Sequence, residues 1–325
     1  MLSRRHFVAS LALAPFAPFG LNSAAAAEWP QRPVRILYPY AAGSSGDVTA
    51  RLIARRLSDS LGRPFIVENR TGANGVIATE AVARSPADGY TLLWAMTPQI
   101  AISPAMMKVP YDPVKDFVPI SAVGLNNFAL VVNAKLPVRT VPEFVNYVHG
   151  QSGGFAYAEG GVGSNSHLAM VLLLDRAGLN ATNVSYKGNV PALTDVVAGH
   201  LPAMFSGLGD ALSQAESGAI RILAVASAQR SLQAPKVPTV AESGFPGFNA
   251  ISWWGLMAPV GTPQSIVDRI ASETAHATKE PKIVAQLTKF GVDPLGDTPA
   301  EFAAMISTDI KLWAEVVKLA GLQAN

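Results

Sequence analysis

Two stretches of the chain combine residue types suited to holding a ligand rather than transforming one. Gly43-Ser44-Ser45-Gly46 and Gly160-Gly161-Val162-Gly163-Ser164-Asn165-Ser166 each stand between a short apolar run and a helical period. The first follows Ile36-Leu37-Tyr38, which Pro39 ends by withholding an N–H. Val48, Leu52, Ile53, Leu57 and Leu61 then recur at helical spacing, with the helix expected from Asp47. The second follows Phe155-Ala156-Tyr157-Ala158 and opens a helix expected over 167–177. A loop of small residues at a helix start leaves backbone N–H groups bare at the positive end of the helix dipole, where an anion binds. The recurrence predicts two such loops facing each other across a ligand.

The tools of catalysis are scarce. His149, His167, His200 and His276 show no metal-ligand spacing. No Gly-x-Ser-x-Gly elbow appears, and only His167 near Ser164 offers a base beside a nucleophile. Gly161-Val162-Gly163 is half of a dinucleotide fingerprint, but Ser166 stands where its third glycine belongs. With no cysteine there is no disulfide, thiolate metal site or thiol nucleophile. No cofactor and no metal are expected. Asp47 reads as a helix N-cap, with a ligand ammonium or hydroxyl as its other partner. Ser44, Ser45, Ser164 and Ser166 read as caps and turns or, as a pair of facing loops, as ligand-contacting hydroxyls, and Asn74 as a left-handed turn residue or a ligand donor. Trp253 and Trp254 alternate across a strand, so one should face core and the other the cleft. His167 divides between helix-start bonding and the site.

Around these loops the chain alternates strand and helix. Its 325 residues, 49% hydrophobic and 15% charged, bound a globular protein of two domains. Residues 1–27 read as an export signal. Ser3-Arg4-Arg5-His6-Phe7 precedes a proline-broken apolar run and an alanine-rich cleavage site near Ala27, a twin-arginine-like pattern. Without Arg4 and Arg5 the 25 basic residues fall to 23, equal to the 23 acidic ones. A neutral mature chain lacks the electrostatic footprint of a nucleic-acid or membrane-surface binder. Strands at 64–68 and 90–95 with a helix at 76–83 complete a βαβαβ unit, hence a parallel sheet whose ligands lie beyond the strands' carboxyl ends. Residues 98–119 are proline-punctuated and irregular. Short alternating units from 184 to 226 predict a second α/β sheet. Thr140, Thr262 and Thr298 stand at helix starts, Thr140 and Thr298 with capping-box spacing.

Several segments together resemble the periplasmic substrate-binding receptors of tripartite tricarboxylate transporters, the Bug proteins. They include 40–52, Val67-Glu68-Asn69-Arg70-Thr71-Gly72-Ala73-Asn74-Gly75 and Ala87-Asp88-Gly89-Tyr90-Thr91-Leu92-Leu93. Tyr111-Asp112-Pro113, Gly163-Ser164-Asn165-Ser166-His167-Leu168, Tyr186-Lys187-Gly188 and Trp254-Gly255-Leu256-Met257-Ala258-Pro259 follow in the same order. The resemblance covers nearly the whole mature chain. It implies an α/β, two-lobed type II periplasmic-binding fold with a hinge and an interlobe cleft. The lobes would be 28–127 with 248–325, and 128–247. The ligand implied is a small carboxylate: an organic acid, an amino acid or an aromatic carboxylate. The candidate contacts are Tyr40, Ala42, Gly43, Ser44, Ser45, Asp47, Asn74, Thr97, Glu159, Gly163, Ser164, Asn165, Ser166, His167 and Asp210. Glu159 replaces a small hydroxyl residue common in relatives, and a buried carboxylate there would repel an anion or recruit an ammonium. The implied protein is a periplasmic, non-enzymatic monomer that meets the membrane subunits of a secondary transporter transiently. An extracytoplasmic hydrolase or isomerase on the same fold, or a ligand-presenting sensory module, are the alternatives.

Overall fold

The computed structural model describes residues 28–323; the export segment read over 1–27 lies outside them. The chain begins as expected, with β1 (Val34–Tyr38), α1 (Ser45–Leu61), β2 (Phe65–Asn69), α2 (Val76–Ala83) and β3 (Thr91–Met96). β1 pairs in parallel with both β2 and β3. The proline-punctuated stretch is more ordered than its composition indicates. It holds a π-helical turn, Pro98–Ile102, and the short α3 (Ser103–Met106) before β4 (Phe117–Asn126).

At Asn127 the chain crosses into a second lobe. There lie β5 (Phe128–Asn133), α4 (Val141–His149), β6 (Ala156–Glu159), α5 (Asn165–Arg176), β7 (Thr182–Ser185) and α6 (Asn189–Ala198). β8 (Ala203–Gly207), α7 (Leu208–Glu216) and β9 (Ile220–Val225) complete it. The single second sheet expected from the alternation is instead split. β5 runs antiparallel between β8 and β9, while β6 and β7 form a separate parallel pair. α5, α6 and α7 all follow the carboxyl ends of strands β6, β7 and β8, so their first turns collect on one side of this lobe.

The chain returns as β10 (Ser252–Pro259), α8 (Gln264–Ala277), α9 (Pro281–Lys289), β11 (Val292–Pro294) and α10 (Pro299–Leu319). β10 inserts antiparallel between β3 and β4, giving the order β11-β4-β10-β3-β1-β2. Its alternation feeds two cores: Trp253 packs with Leu37, Leu93 and Phe302, Trp254 with Ile36, Trp94 and Leu256. Both tryptophans are buried, so the expectation that one faces the cleft is corrected. Long apolar rings on a strand covered by helices on both faces have core on either side. α10 starts with the capping box read at Thr298 and Glu301. Its Phe302 and Ile306 join the larger lobe's core, and its Trp313, Val316 and Val317 join the smaller lobe's. One helix thus fastens both lobes. Thr140 caps α4, but Glu143 reaches back to the Arg139 N–H instead of closing a box. Thr262 caps nothing: its hydroxyl turns back to the Pro259 carbonyl at 2.7 Å, and α8 starts after Pro263.

Candidate functional site

α1 and α5 begin with the same hydrogen-bond pattern. Ser44 and Ser164 hold extended backbone at the N-cap, and their hydroxyls accept the N–H of the third helical residue. Those bonds are Asp47 N–H to Ser44 at 3.3 Å and His167 N–H to Ser164 at 3.2 Å. The third residue's side chain then reaches back to the glycine before the cap. Asp47 Oδ2 accepts the Gly43 N–H at 3.0 Å, and His167 Nδ1 accepts the Gly163 N–H at 3.1 Å. Gly43 and Gly163 both take positive φ, +88° and +77°, which glycine adopts without steric cost. The caps therefore satisfy the third N–H and leave the first two. The N–H groups of Ser45, Gly46, Asn165 and Ser166 donate to no described residue. These are the donors available to an anion.

Asp47 is corrected from N-cap to brace. Its carboxylate accepts from Arg51 Nε and Nη2, both at 3.1 Å, and from Asn69 Nδ2 at 2.8 Å. Burial pulls its pKa upward, but the bonds from Arg51, Gly43 and Asn69 win and hold it below the usual carboxylate value. His167 is buried, its ring stacked on Tyr157 with centroids 6.4 Å apart. Burial depresses its pKa against the opposing pull of Glu159, and an Nδ1 that accepts an N–H carries no proton. Glu159 is wholly buried below the second loop. It accepts from the Gly161 N–H and, at 3.4 Å, from Asn183 Nδ2. Ser166 accepts the Gly160 N–H at 2.9 Å and lies 2.9 Å from the Ser164 hydroxyl. Thr97 accepts the Trp253 N–H at 3.0 Å and ties the end of β3 to the returning strand.

Two cavities adjoin between the lobes, sharing Phe128 and Asn189 in their walls. One, of about 450 Å³, is lined by Tyr40, Asn74, Pro98, Met106, Met107 and the loop from Gly160 to Asn165. The other, of about 290 Å³, is lined by Ser45, Asn126, Gly207, Gly209, Asp210, Lys289 and Phe290. Of the residues singled out in the sequence, Tyr40, Ser45, Asn74, Gly163, Ser164, Asn165 and Asp210 line these cavities. Ala42, Gly43, Ser44, Asp47, Thr97, Glu159, Ser166 and His167 do not line either cavity; most brace the walls. Asn74 is left-handed at φ +51°, and its amide is already engaged, with Tyr40 and with Ser103. Burial raises the carboxyl pKa of Asp210, which accepts no hydrogen bond from the described residues. Sequence reasoning missed Met106, Met107, Phe128, Asn189 and Lys289. The glycine before Asn189 was a usable signal, since Gly188 starts α6 at φ +117° as another glycine-led helix. Among the described residues no cluster of ligating side chains suits a metal, and no helix is long and apolar enough to cross a membrane.

A family model described as tripartite tricarboxylate transporter family receptor matches residues 49–322. The chain belongs to that receptor family. Protein BugT of Bordetella pertussis is 37% identical over 295 residues, 90% of each chain. Among solved structures, Rpa4515 of R. palustris with adipate matches at TM-score 0.76 and 33% identity, over 90% of this chain and 99% of that one. MatC of Rhodopseudomonas palustris with bound malate matches at 0.72 and 31%, over 89% and 100%. The two-lobed binding-protein fold expected from the sequence is therefore the fold of this family, whose members here are binding proteins.

Proposed function

We propose that this receptor captures a small carboxylate in the cleft by lobe closure, using the bare N–H groups at the starts of α1 and α5. The observation that carries this reading is the duplicated serine cap, which frees two N–H groups on each side of the cleft. Neutral donors hold an anion without a buried countercharge and release it when the lobes part. The moving bodies are residues 28–127 with 248–325, and 128–247, and the hinge lies at their crossings. The protein works in the periplasm as a monomer and hands its ligand to the membrane subunits of a tripartite secondary transporter. The adipate and malate held by its structural neighbours support the ligand class. A non-enzymatic role is favoured by His167, whose Nδ1 is bonded to Gly163 and not aimed at Ser164.

Thermal-shift titration of the mature protein with carboxylates and their methyl esters tests the proposal. A carboxylate should raise the melting temperature in proportion to the logarithm of its concentration, and its ester should not. Equal shifts by acid and ester, or consumption of the acid over time, would overturn it.

A further inference from the structure

A wholly buried carboxyl, Glu159, sits behind the cleft wall at the second loop. Its Oε2 accepts the N–H of Gly161, which lines the larger cavity, and its Oε1 accepts from Asn183 Nδ2 at 3.4 Å. Neither partner is charged, and among the described residues no basic side chain pairs with it. Two neighbours register its negative charge. Burial raises the Tyr157 hydroxyl pKa and Glu159 raises it further, while at His167 Glu159 opposes the depression that burial causes. Of the elements packed on β6, β7 and β8 hold no titratable side chain. α6 brings only Asp195, which is bonded to Tyr186 and His200. α5 brings His167, with Asp175 and Arg176 at its far end. No cation answers Glu159.

A carboxylate held between the helix starts adds a second negative charge to this buried corner. Two carboxylates that share a poorly solvated site do not both stay ionised, so one of them takes a proton. The ligand's is met by the bare N–H groups of both helix starts, and their dipoles favour its ionised form. Glu159 has one backbone N–H and one long amide contact, so it is the more weakly held of the two. His167 is a poor acceptor, because its Nδ1 already receives the Gly163 N–H and a proton there would break that bond. Glu159 Oε1 faces Asn183, which is exposed on β7, so a proton reaches it from the solvent side of the loop.

Resting on the carboxylate-receptor reading above, we propose that ligand capture is coupled to proton uptake by Glu159. As the anionic ligand seats, a proton from solvent adds to Glu159 Oε1, and Oε2 keeps the Gly161 N–H. The added proton offsets one ligand charge, and it returns to solvent when the ligand leaves. Glu159 itself touches no ligand; it sets the pH at which the loop accepts one.

Potentiometry tests this in unbuffered salt at about pH 6.5, where malate, adipate and benzoate are largely ionised. Protons consumed are counted per acid bound, with binding measured by calorimetry on the same samples. The wild-type protein should take up about half a proton or more per acid, so its affinity should fall about threefold or more for each unit of rising pH. Glu159→Gln keeps an oxygen for the Gly161 N–H and cannot be charged. It should bind more tightly than wild type, take up no proton and lose the pH dependence, while His167→Gln keeps the uptake. Binding without uptake by the wild type, uptake that survives Glu159→Gln, or uptake lost in His167→Gln would overturn the proposal and spare the receptor reading. Binding of none of the three acids would overturn both.

Discussion

The starts of α1 and α5 are built to one plan and finished with different chemistry. Each has a positive-φ glycine, a serine cap and a third residue that reaches back to the glycine N–H. At α1 that residue is a carboxylate, and Gly43, Ser44 and Ser45 are exposed. At α5 it is a neutral imidazole, and Gly163, Asn165 and Ser166 are buried. The difference follows from solvation. Asp47 keeps its charge because Arg51, about half exposed, and Asn69 complete its bonds. A charged brace behind the buried α5 start would lack a cation such as Arg51, whereas the imidazole accepts the Gly163 N–H without charge. Loop geometry is thus separable from loop charge, and paired substitutions in the two loops test how far.

The largest difference should come at the paired glycines. A Cβ on Gly163 would lie 2.5 Å from the Met106 side chain across the cleft, whereas one on Gly43 meets nothing within 4 Å. Gly163→Val should abolish binding, because beyond the same backbone strain it must push the flexible tip of Met106 aside within the cleft. Gly43→Val carries only the backbone strain, about 1–2 kcal/mol. Titration calorimetry and urea melts of both variants would check this, and equal losses would break the comparison.

Next in size are the braces. Asp47→Ala removes charge-assisted bonds and should destabilise by about 2–3 kcal/mol, against about 1–2 kcal/mol for His167→Ala. The two should also part with pH. Asp47 has a depressed pKa, so its stabilisation is present above the unfolded carboxyl value of 3.8 and is lost only as pH falls through the still lower folded value. His167 is depressed from 6.5, so its share is present above that pH and is lost as pH falls through its lower folded value. Loop two should therefore loosen first on acidification, read as a falling melting temperature that His167→Gln flattens. Asp309 titrates in the same window with opposite sign. Burial pushes it up to about 6 against the bond from Trp253, so its share of stability is lost as pH rises through that value. Asp309→Asn is the background in which the two loops are compared. The smallest effects belong to the caps. Ser44→Ala and Ser164→Ala should each cost about 1 kcal/mol and shift affinity modestly, since the donors proposed for the ligand are N–H groups.

Much of this was legible in residue order. The strand-loop-helix units at Gly43 and Gly163, the parallel β2-β1-β3 arrangement and the capping box at Thr298 rest on local spacing, and they stand where spacing places them. What failed depended on contacts between distant residues or on fine backbone choice. Ser44 and Asp47 are both good capping types, and only the extended backbone at Ser44, φ −72° and ψ 161°, decides between them. Thr97 reads as a ligand contact until β10 arrives from 156 residues away to claim its hydroxyl. Met106 and Met107 were hidden in a stretch punctuated by Pro98, Pro104 and Pro110. The π-helical turn that carries them toward the cleft has no periodicity to read. Glu159 looked like a ligand group because burial direction cannot be seen in a four-residue strand end.

The central claim is that backbone N–H groups at two helix starts hold one carboxylate. It is tested most directly by following the amide resonances of Ser45, Gly46, Asn165 and Ser166 while titrating the carboxylate with the largest thermal shift. Downfield movement of the amide protons at both helix starts, saturating at one equivalent, is the result expected. Movement at one start alone, or confined to the walls around Asp210 and Lys289, would contradict the account.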